Sequence, residues 1–150
     1  MRTRQEILVF SLALAALVVM PGHAGQRGLA PLSAPTREEV ERGRYLVEEV
    51  AKCAECHTPR KANGDLDEQA WLQGAPIWIR PVANIQPWAD HAPGLAGLPS
   101  FTDAQVERVL ERGTGPNGEP LRAPMHIYHL SQADARAIVV YLKSLPAPMR

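Results

Sequence analysis

Only two cysteines occur in the chain, Cys53 and Cys56. A four-ligand zinc site usually draws on two close pairs of ligands, and no second cysteine pair exists to supply one. His23, His91, His126 and His129 do not make a finger-like pair at helical spacing either. Charge of one sign is also missing, with 16 basic against 16 acidic residues. That balance leaves no basic stripe for nucleic acid and no polybasic patch for anionic lipid. Beyond Met20 no apolar run is long enough to span a membrane. There is no internal repeat, no nucleophile triad, no paired-carboxylate pattern and no glycine-rich phosphate loop. Asp65 and Asp67 read as solvated loop charges.

What is present is concentrated in "KCAECHTPR", residues 52–60. It holds both thiols, three residues apart, with His57 directly after. Covalent haem attachment uses this pattern: the thiols add to the two vinyl groups, and the histidine ligates the iron from the same side. Other chemistries use it too. A thioredoxin-like redox pair expects a βαβ context, and nothing upstream reads as a strand. A structural disulfide closing so short a loop would constrain the unfolded chain little. Zinc lacks its second ligand pair.

The N-terminus, "MRTRQEILVFSLALAALVVMPGHAG", has the parts of a secretory leader. Arg2 and Arg4 give a positive start. Ile7 to Met20 is apolar apart from Ser11, then Pro21 and Gly22 break the run. Small residues at Gly22 and Ala24 predict cleavage after Ala24, giving a leader over 1–24. A retained membrane anchor is the alternative, but the apolar run is shorter than the ~20 residues of a spanning helix. No cysteine sits at the cleavage region, which argues against a lipoprotein. Without Arg2, Arg4 and Glu6, 14 basic and 15 acidic residues remain. Export matters for the thiols: an oxidising compartment drives lone cysteines into disulfides, whereas thioethers to haem would consume both sulfurs.

Residues 25–35 are rich in Gly, Pro and Ala and read as a flexible linker. The domain is expected over 36–146, followed by a short tail, 147–150. Thr36 and Glu39 form a capping box that starts a helix. Val40, Gly43, Val47 and Val50 follow at helical spacing. A glycine inside a helix costs up to ~1 kcal/mol relative to alanine; at Gly43 this suggests a second helix crossing closely. A turn is expected at Asn63-Gly64. Over 71–100, Pro76, Pro81, Pro87, Pro93 and Pro99 forbid a long helix or a central strand. The same tract carries Trp71, Trp78 and Trp88 with Leu72, Ile77, Ile79, Val82 and Ile85. An irregular loop of this length is unusual in a compact domain, unless a large apolar cofactor serves as its core. Thr102 and Gln105 cap a second helix, Phe101 and Val106 suit a hydrophobic staple, and Gly113 ends it. Ser131 opens a last helix with Ile138, Tyr141, Leu142 and Leu145 on its apolar stripe, and Pro146 stops it.

Four segments in this order resemble a class I c-type cytochrome: "GRYLVEEVAKCAECHTPR" (43–60), "PVANI" (81–85), "FTDAQVERVLERG" (101–113) and "LRAPMHIYHLSQADARAIVVYLKSLP" (121–146). The likeness is greatest to haem modules in cytochrome subunits of bacterial periplasmic or membrane-associated dehydrogenases. It implies an all-α fold, with N- and C-terminal helices crossing over a covalently bound haem c and a long irregular loop around it. Gly43 would then admit Tyr141 or Leu142. The resemblance also implies Cys53 and Cys56 as attachment points, His57 as near-side axial ligand and Met125, after Pro124, as far-side ligand.

This chain departs from the family pattern where Gln86-Pro87-Trp88 follows "ANI" and where His126 follows Met125. His126, His91 and His129 are rival donors for the sixth position. If Met125 faces the iron along an extended segment, its neighbour His126 faces away. With one motif, one haem is expected. The implied role is single-electron transfer in the periplasm, with a dehydrogenase or a terminal acceptor as redox partner, rather than catalysis. The rival role is a haem with a labile sixth ligand, acting as a small-ligand enzyme or sensor.

Overall fold

Thr36 begins the first helix through the expected reciprocal bonds. Its Oγ1 accepts from the Glu39 N–H at 3.1 Å, and its own N–H donates to Glu39 Oε2 at 3.0 Å. The computed structural model describes residues 34–85 and 87–147. The leader 1–24 and nearly all of the linker 25–35 lie outside the described residues, as do Gln86 and 148–150 of the tail.

Helix α1 runs Arg37–Tyr45 and widens into one π-helical stretch, Leu46–Val50. There the Ala51 N–H donates to Leu46 O at 2.8 Å, one residue further back than in an α-helix. The wider turn shifts the apolar face. Gly43, Leu46 and Val47 are buried, whereas Val50, expected on the same stripe, is exposed. Lys52, with φ of 50°, then turns the chain sharply into the four-residue helix α2, Ala54–His57.

Helix α3, Asp103–Arg112, has the capping box at Thr102 and Gln105 and ends at Gly113 in the left-handed conformation. Val106 and Leu110 are buried. Helix α4, Gln132–Ser144, is capped by Ser131 Oγ, which accepts from the Asp134 N–H. Its face of Ile138, Tyr141 and Leu142 is buried, and Leu145 packs at its edge. Helix α1 packs on α4, and α3 packs on α4 beside it. The α1–α4 contact needs Gly43. A Cβ there would collide with the carbonyl oxygen of Ala137 and lie 2.7 Å from Tyr141 Cβ. Tyr141 is thus one of the expected neighbours; the other is the Ala137 backbone, not Leu142. Arg42 to Asp134 at 2.9 Å, Arg136 to Glu39 at 3.1 Å and a bond from the Tyr141 hydroxyl to Glu48 tie the two helices at their edges.

The proline-rich middle holds no long helix, but it is not wholly irregular. A 3-10 turn, Glu68–Ala70, precedes a small antiparallel pair of strands, β1 Ala75–Pro76 and β2 His91–Ala92. The chain is therefore helical with a small sheet, where the sequence predicts helices and loop alone. Pro76 is tolerated because each strand of a two-stranded sheet is an edge. Gly64 forms the expected turn at φ of 90°, closed by the Arg60–Leu66 bridge. Among the described residues no helix is long and apolar enough to cross a membrane.

Overpacking a close helix crossing typically costs 1–3 kcal/mol. Gly43→Val should lower the unfolding free energy by roughly that amount. A shift of the urea midpoint at constant slope would show it; an unmoved midpoint would mean the crossing tolerates bulk.

Candidate functional site

A cavity of about 370 Å³ opens between α2, β2, α3 and the segment before α4. Its volume lies in the range of small-molecule and cofactor sites, about 300–1,000 Å³. The walls are mostly apolar: Ile77, Leu95, Phe101, Val106, Leu110 and Leu142 are among them. Cys53, Cys56, His57 and Met125 all line this one space, although Met125 lies far from the motif in sequence. His91 and the exposed His126 also border it. His129 is exposed and is not among the lining residues.

His57 is buried, 6% exposed, and sits in the last turn of α2. Its Nδ1 lies 2.7 Å from the carbonyl oxygen of Pro93. A carbonyl only accepts, so Nδ1 carries the proton and donates, which leaves the Nε2 lone pair free. Burial pushes the His57 pKa below its ordinary value; the Pro93 bond opposes this and nearby His91 reinforces it. The imidazole is therefore neutral at neutral pH, the form that ligates a metal. The small sheet sets the acceptor: Ala92, next to Pro93, pairs with Ala75, and the Gly74 N–H donates to His57 O at 2.8 Å. Behind the ring, the wholly buried Thr58 accepts from the Leu72 N–H at 2.9 Å.

Both thiols are free and half-buried. Burial pushes Cys53 up to about 11. A thiol-exchange nucleophile needs the opposite shift, toward the thiolate, so the environment does not suit a dithiol redox pair. Among the described residues no three His, Cys, Asp or Glu side chains converge as a metal-binding group. A four-ligand zinc site needs such convergence. The residues do fit a large apolar ring system that carries its own metal: an apolar hollow, two thiols at one wall and one neutral imidazole with a fixed tautomer.

Two contributors escape sequence reasoning. Pro93 reads there only as a helix breaker, and a backbone carbonyl has no residue-type signature. Tyr128 lines the cavity and donates its hydroxyl to Ala51 O at 3.0 Å, fastening the Met125 segment to the chain entering the motif. Burial, with a contribution from the two thiols, pushes its pKa up to about 12. An aromatic with a polar tip in an apolar segment signals that a partner is needed, but not that the partner is 77 residues away. The apolar tract 71–100 divides, with Ala89, Ala92, Pro93 and Leu95 also lining the cavity. Ile77 lines the cavity and Leu72 is in the core, while Trp78, Val82 and Ile85 are exposed.

No protein-family model matches the chain. It is 37% identical to a fructose dehydrogenase cytochrome subunit of Gluconobacter japonicus, over 73% of this chain and 23% of that protein. It is 33% identical to a diheme c-type cytochrome of Cereibacter sphaeroides, over 73% of this chain and 36% of that protein. It is 34% identical to the cytochrome c subunit of a quinone alcohol dehydrogenase of Gluconobacter oxydans, over 73% of this chain and 24% of that protein. The chain spans about a quarter to a third of the curated relatives it matches. Its homologues are thus c-type cytochromes, and those with partners named are dehydrogenase subunits.

Gly74 and Gly64 share a φ of +90°, which makes them a controlled pair. A Cβ at Gly74 would lie 2.8 Å from Gly94 N, 3.0 Å from Ala92 O and 3.1 Å from the Pro93 carbonyl carbon, whereas nothing lies within 4 Å of one at Gly64. Gly64→Ala should cost only the backbone strain of about 1–2 kcal/mol. Gly74→Ala should cost more and also weaken the Pro93 bond. The expected readouts are a larger drop in melting temperature and faster solvent exchange of the His57 Nδ1 proton in NMR. An unaltered ring proton would separate the sheet from the imidazole.

Proposed function

From this homology to c-type cytochromes we propose that the chain is a monohaem cytochrome c that transfers single electrons. It would act as a carrier or as the electron-transfer subunit of an exported dehydrogenase. The single observation that carries the reading is the neutral His57, with Nδ1 committed to Pro93, sharing one apolar cavity with Cys53, Cys56 and Met125. The class I arrangement, with α1 and α4 crossing over the cofactor, is part of the proposal. So are the leader 1–24, the linker 25–35, the domain 36–146 and a periplasmic location.

In this reading Cys53 and Cys56 would hold one haem c through thioethers, and His57 Nε2 and Met125 Sδ would supply the protein ligands to its iron. When bound, the haem supplies a one-electron couple, and a thioether ligand favours the reduced iron. The protein's share is orientation and burial. Pro93 O fixes the imidazole plane and its basicity, as an outer hydrogen bond does for any ligating histidine. Val106 and Leu110 of α3, with Phe101 just before it, make their wall of the cavity apolar. Tyr128, through Ala51, holds the Met125 segment against the motif. With both His57 and Met125 as ligands, the iron would offer a substrate no open site, which is what a carrier rather than an enzyme or sensor requires. The near-neutral charge gives no strong steering field, so contact with the dehydrogenase or terminal acceptor would be small and brief.

Acid–organic extraction of the exported protein should leave haem on the polypeptide, and the reduced protein should be inert to CO. Extractable haem would refute covalent attachment; rapid CO binding would favour the labile-ligand alternative. For the sixth position, His126 is exposed and sits edge-on to Tyr128 at 4.8 Å between ring centroids, which favours Met125. The weak far-red sulfur-to-iron band of the oxidised protein should be present, vanish in Met125→Ala and persist in His126→Ala. Its absence from the wild type, together with a spectral change in His126→Ala, would make His126 the ligand.

A further inference from the structure

His126 borders the same cavity as Met125 and stands directly after it in the chain. An imidazole is a strong donor to oxidised iron, so something must decide which neighbour serves the metal. In an extended segment adjacent residues are about 3.3 Å apart along the chain. A slip of one residue would therefore put His126 where Met125 stands. A hydrogen bond tolerates far less displacement, about 0.5 Å between its usual limits. One bond from the segment to a fixed acceptor is enough to set the register.

Tyr128 supplies that bond. Between Pro124 and His129, among the described residues, the bond from its hydroxyl to Ala51 O at 3.0 Å is the one made to a distant part of the chain. The Met125 N–H turns back only to Arg122 O, at 3.1 Å, within the same loop. The acceptor is fixed. Ala51 closes the π-helical stretch with its own N–H on Leu46 O, and two residues on, the Cys53 N–H donates to Val47 O at 3.0 Å. Leu46 and Val47 are both buried. Tyr128 is thus tied to the same stretch of backbone that carries the first thiol. His129, next to Tyr128, has φ of 53°, a left-handed conformation that a residue with a side chain keeps only where its surroundings hold it. Tyr128 on one side and the Leu130 N–H, on Leu110 O at 2.9 Å, on the other are those holds. The tyrosine ring has a second contact. It meets the His126 imidazole edge-on, with 4.8 Å between centroids and 73° between planes, a preferred aromatic geometry. One side chain both fastens the segment and engages the rival donor.

We propose that Tyr128 is the positioning residue that selects Met125 over His126 as the far-side ligand: its hydroxyl holds the segment in register on Ala51, and its ring engages the His126 imidazole. The inference rests on the haem reading and adds to it the residue that decides the ligand. The two contributions of Tyr128 separate on substitution. Phenylalanine keeps the ring and loses the anchor; leucine loses both. Neither substitution changes a charge near neutral pH, so a shift in potential reports the ligand rather than a local field. Histidine in place of methionine lowers that potential.

The test uses the haem-loaded, oxidised protein near neutral pH and reads the sulfur-to-iron band and the reduction potential. In Tyr128→Phe, added imidazole should abolish the band at about two- to tenfold lower concentration than in the wild type, the factor that one lost hydrogen bond is worth. In Tyr128→Leu the band should be lost and the potential lowered, as His126 takes the iron. Adding His126→Ala to Tyr128→Leu should restore both, a rescue that a merely structural role of the tyrosine would not give. Imidazole acting at the wild-type concentration in Tyr128→Phe, a band kept in Tyr128→Leu, or a loss that His126→Ala does not repair would each overturn the proposal. Should Tyr128→Leu not fold, the imidazole titration of Tyr128→Phe decides alone. Extractable haem or a wild type without the band would defeat the haem or Met125 reading, and this selection with it, before any variant is compared.

Discussion

One hydrogen bond, from His57 Nδ1 to the carbonyl of Pro93, organises the rest of the molecule. Without an acceptor at that point the imidazole could turn or take either tautomer, and Nε2 would have no assured direction. A buried imidazole also loses solvation, and the Pro93 carbonyl returns a partner to it. The segments around it serve the same contact. The two-residue sheet fixes Pro93 through Ala92, and Gly74 permits the close approach and binds the His57 backbone. The small sheet thereby acquires a purpose that its length would not suggest.

One side of the cavity facing that histidine is α4, on which α1 packs without a side chain between them at Gly43. Gly43 brings the α1 backbone onto Ala137, and Leu46 and Val47 join the core behind Ile138 and Leu142, which line the cavity. α3 then lies on α4 and completes the apolar side with Val106 and Leu110. The π-helical stretch at Leu46–Val50 and the left-handed Lys52 redirect the chain at the end of α1, so that α2 presents both thiols and the histidine to the hollow. Strained or non-standard backbone next to a functional turn is a recurrent economy of this kind.

The helices were legible because their signals are local. Capping pairs Thr36 with Glu39 and Thr102 with Gln105 act over three residues, and Gly113 and Pro146 end their helices through their own backbone chemistry. Val50 and the tryptophan-bearing loop are not legible for the converse reason. A single π-turn rotates every later residue off its expected face. Apolar residues at Trp78, Val82 and Ile85 say nothing by themselves about whether they look inward or outward.

The sequence by itself determined the chemistry on offer: two thiols and an imidazole at fixed spacing, a methionine before the last helix, the starts of α1, α3 and α4, and a glycine where bulk was forbidden. All of these follow from residue type and short-range spacing. Tertiary structure alone decided which groups meet. It brought Met125 to the same hollow as His57, aimed the Pro93 carbonyl at Nδ1, joined Tyr128 to Ala51 and left His129 outside. Those contacts are made by backbone carbonyls and by residues far apart along the chain, so no residue type announces them. They come into being only when burial of the apolar faces fixes the path of the chain between them.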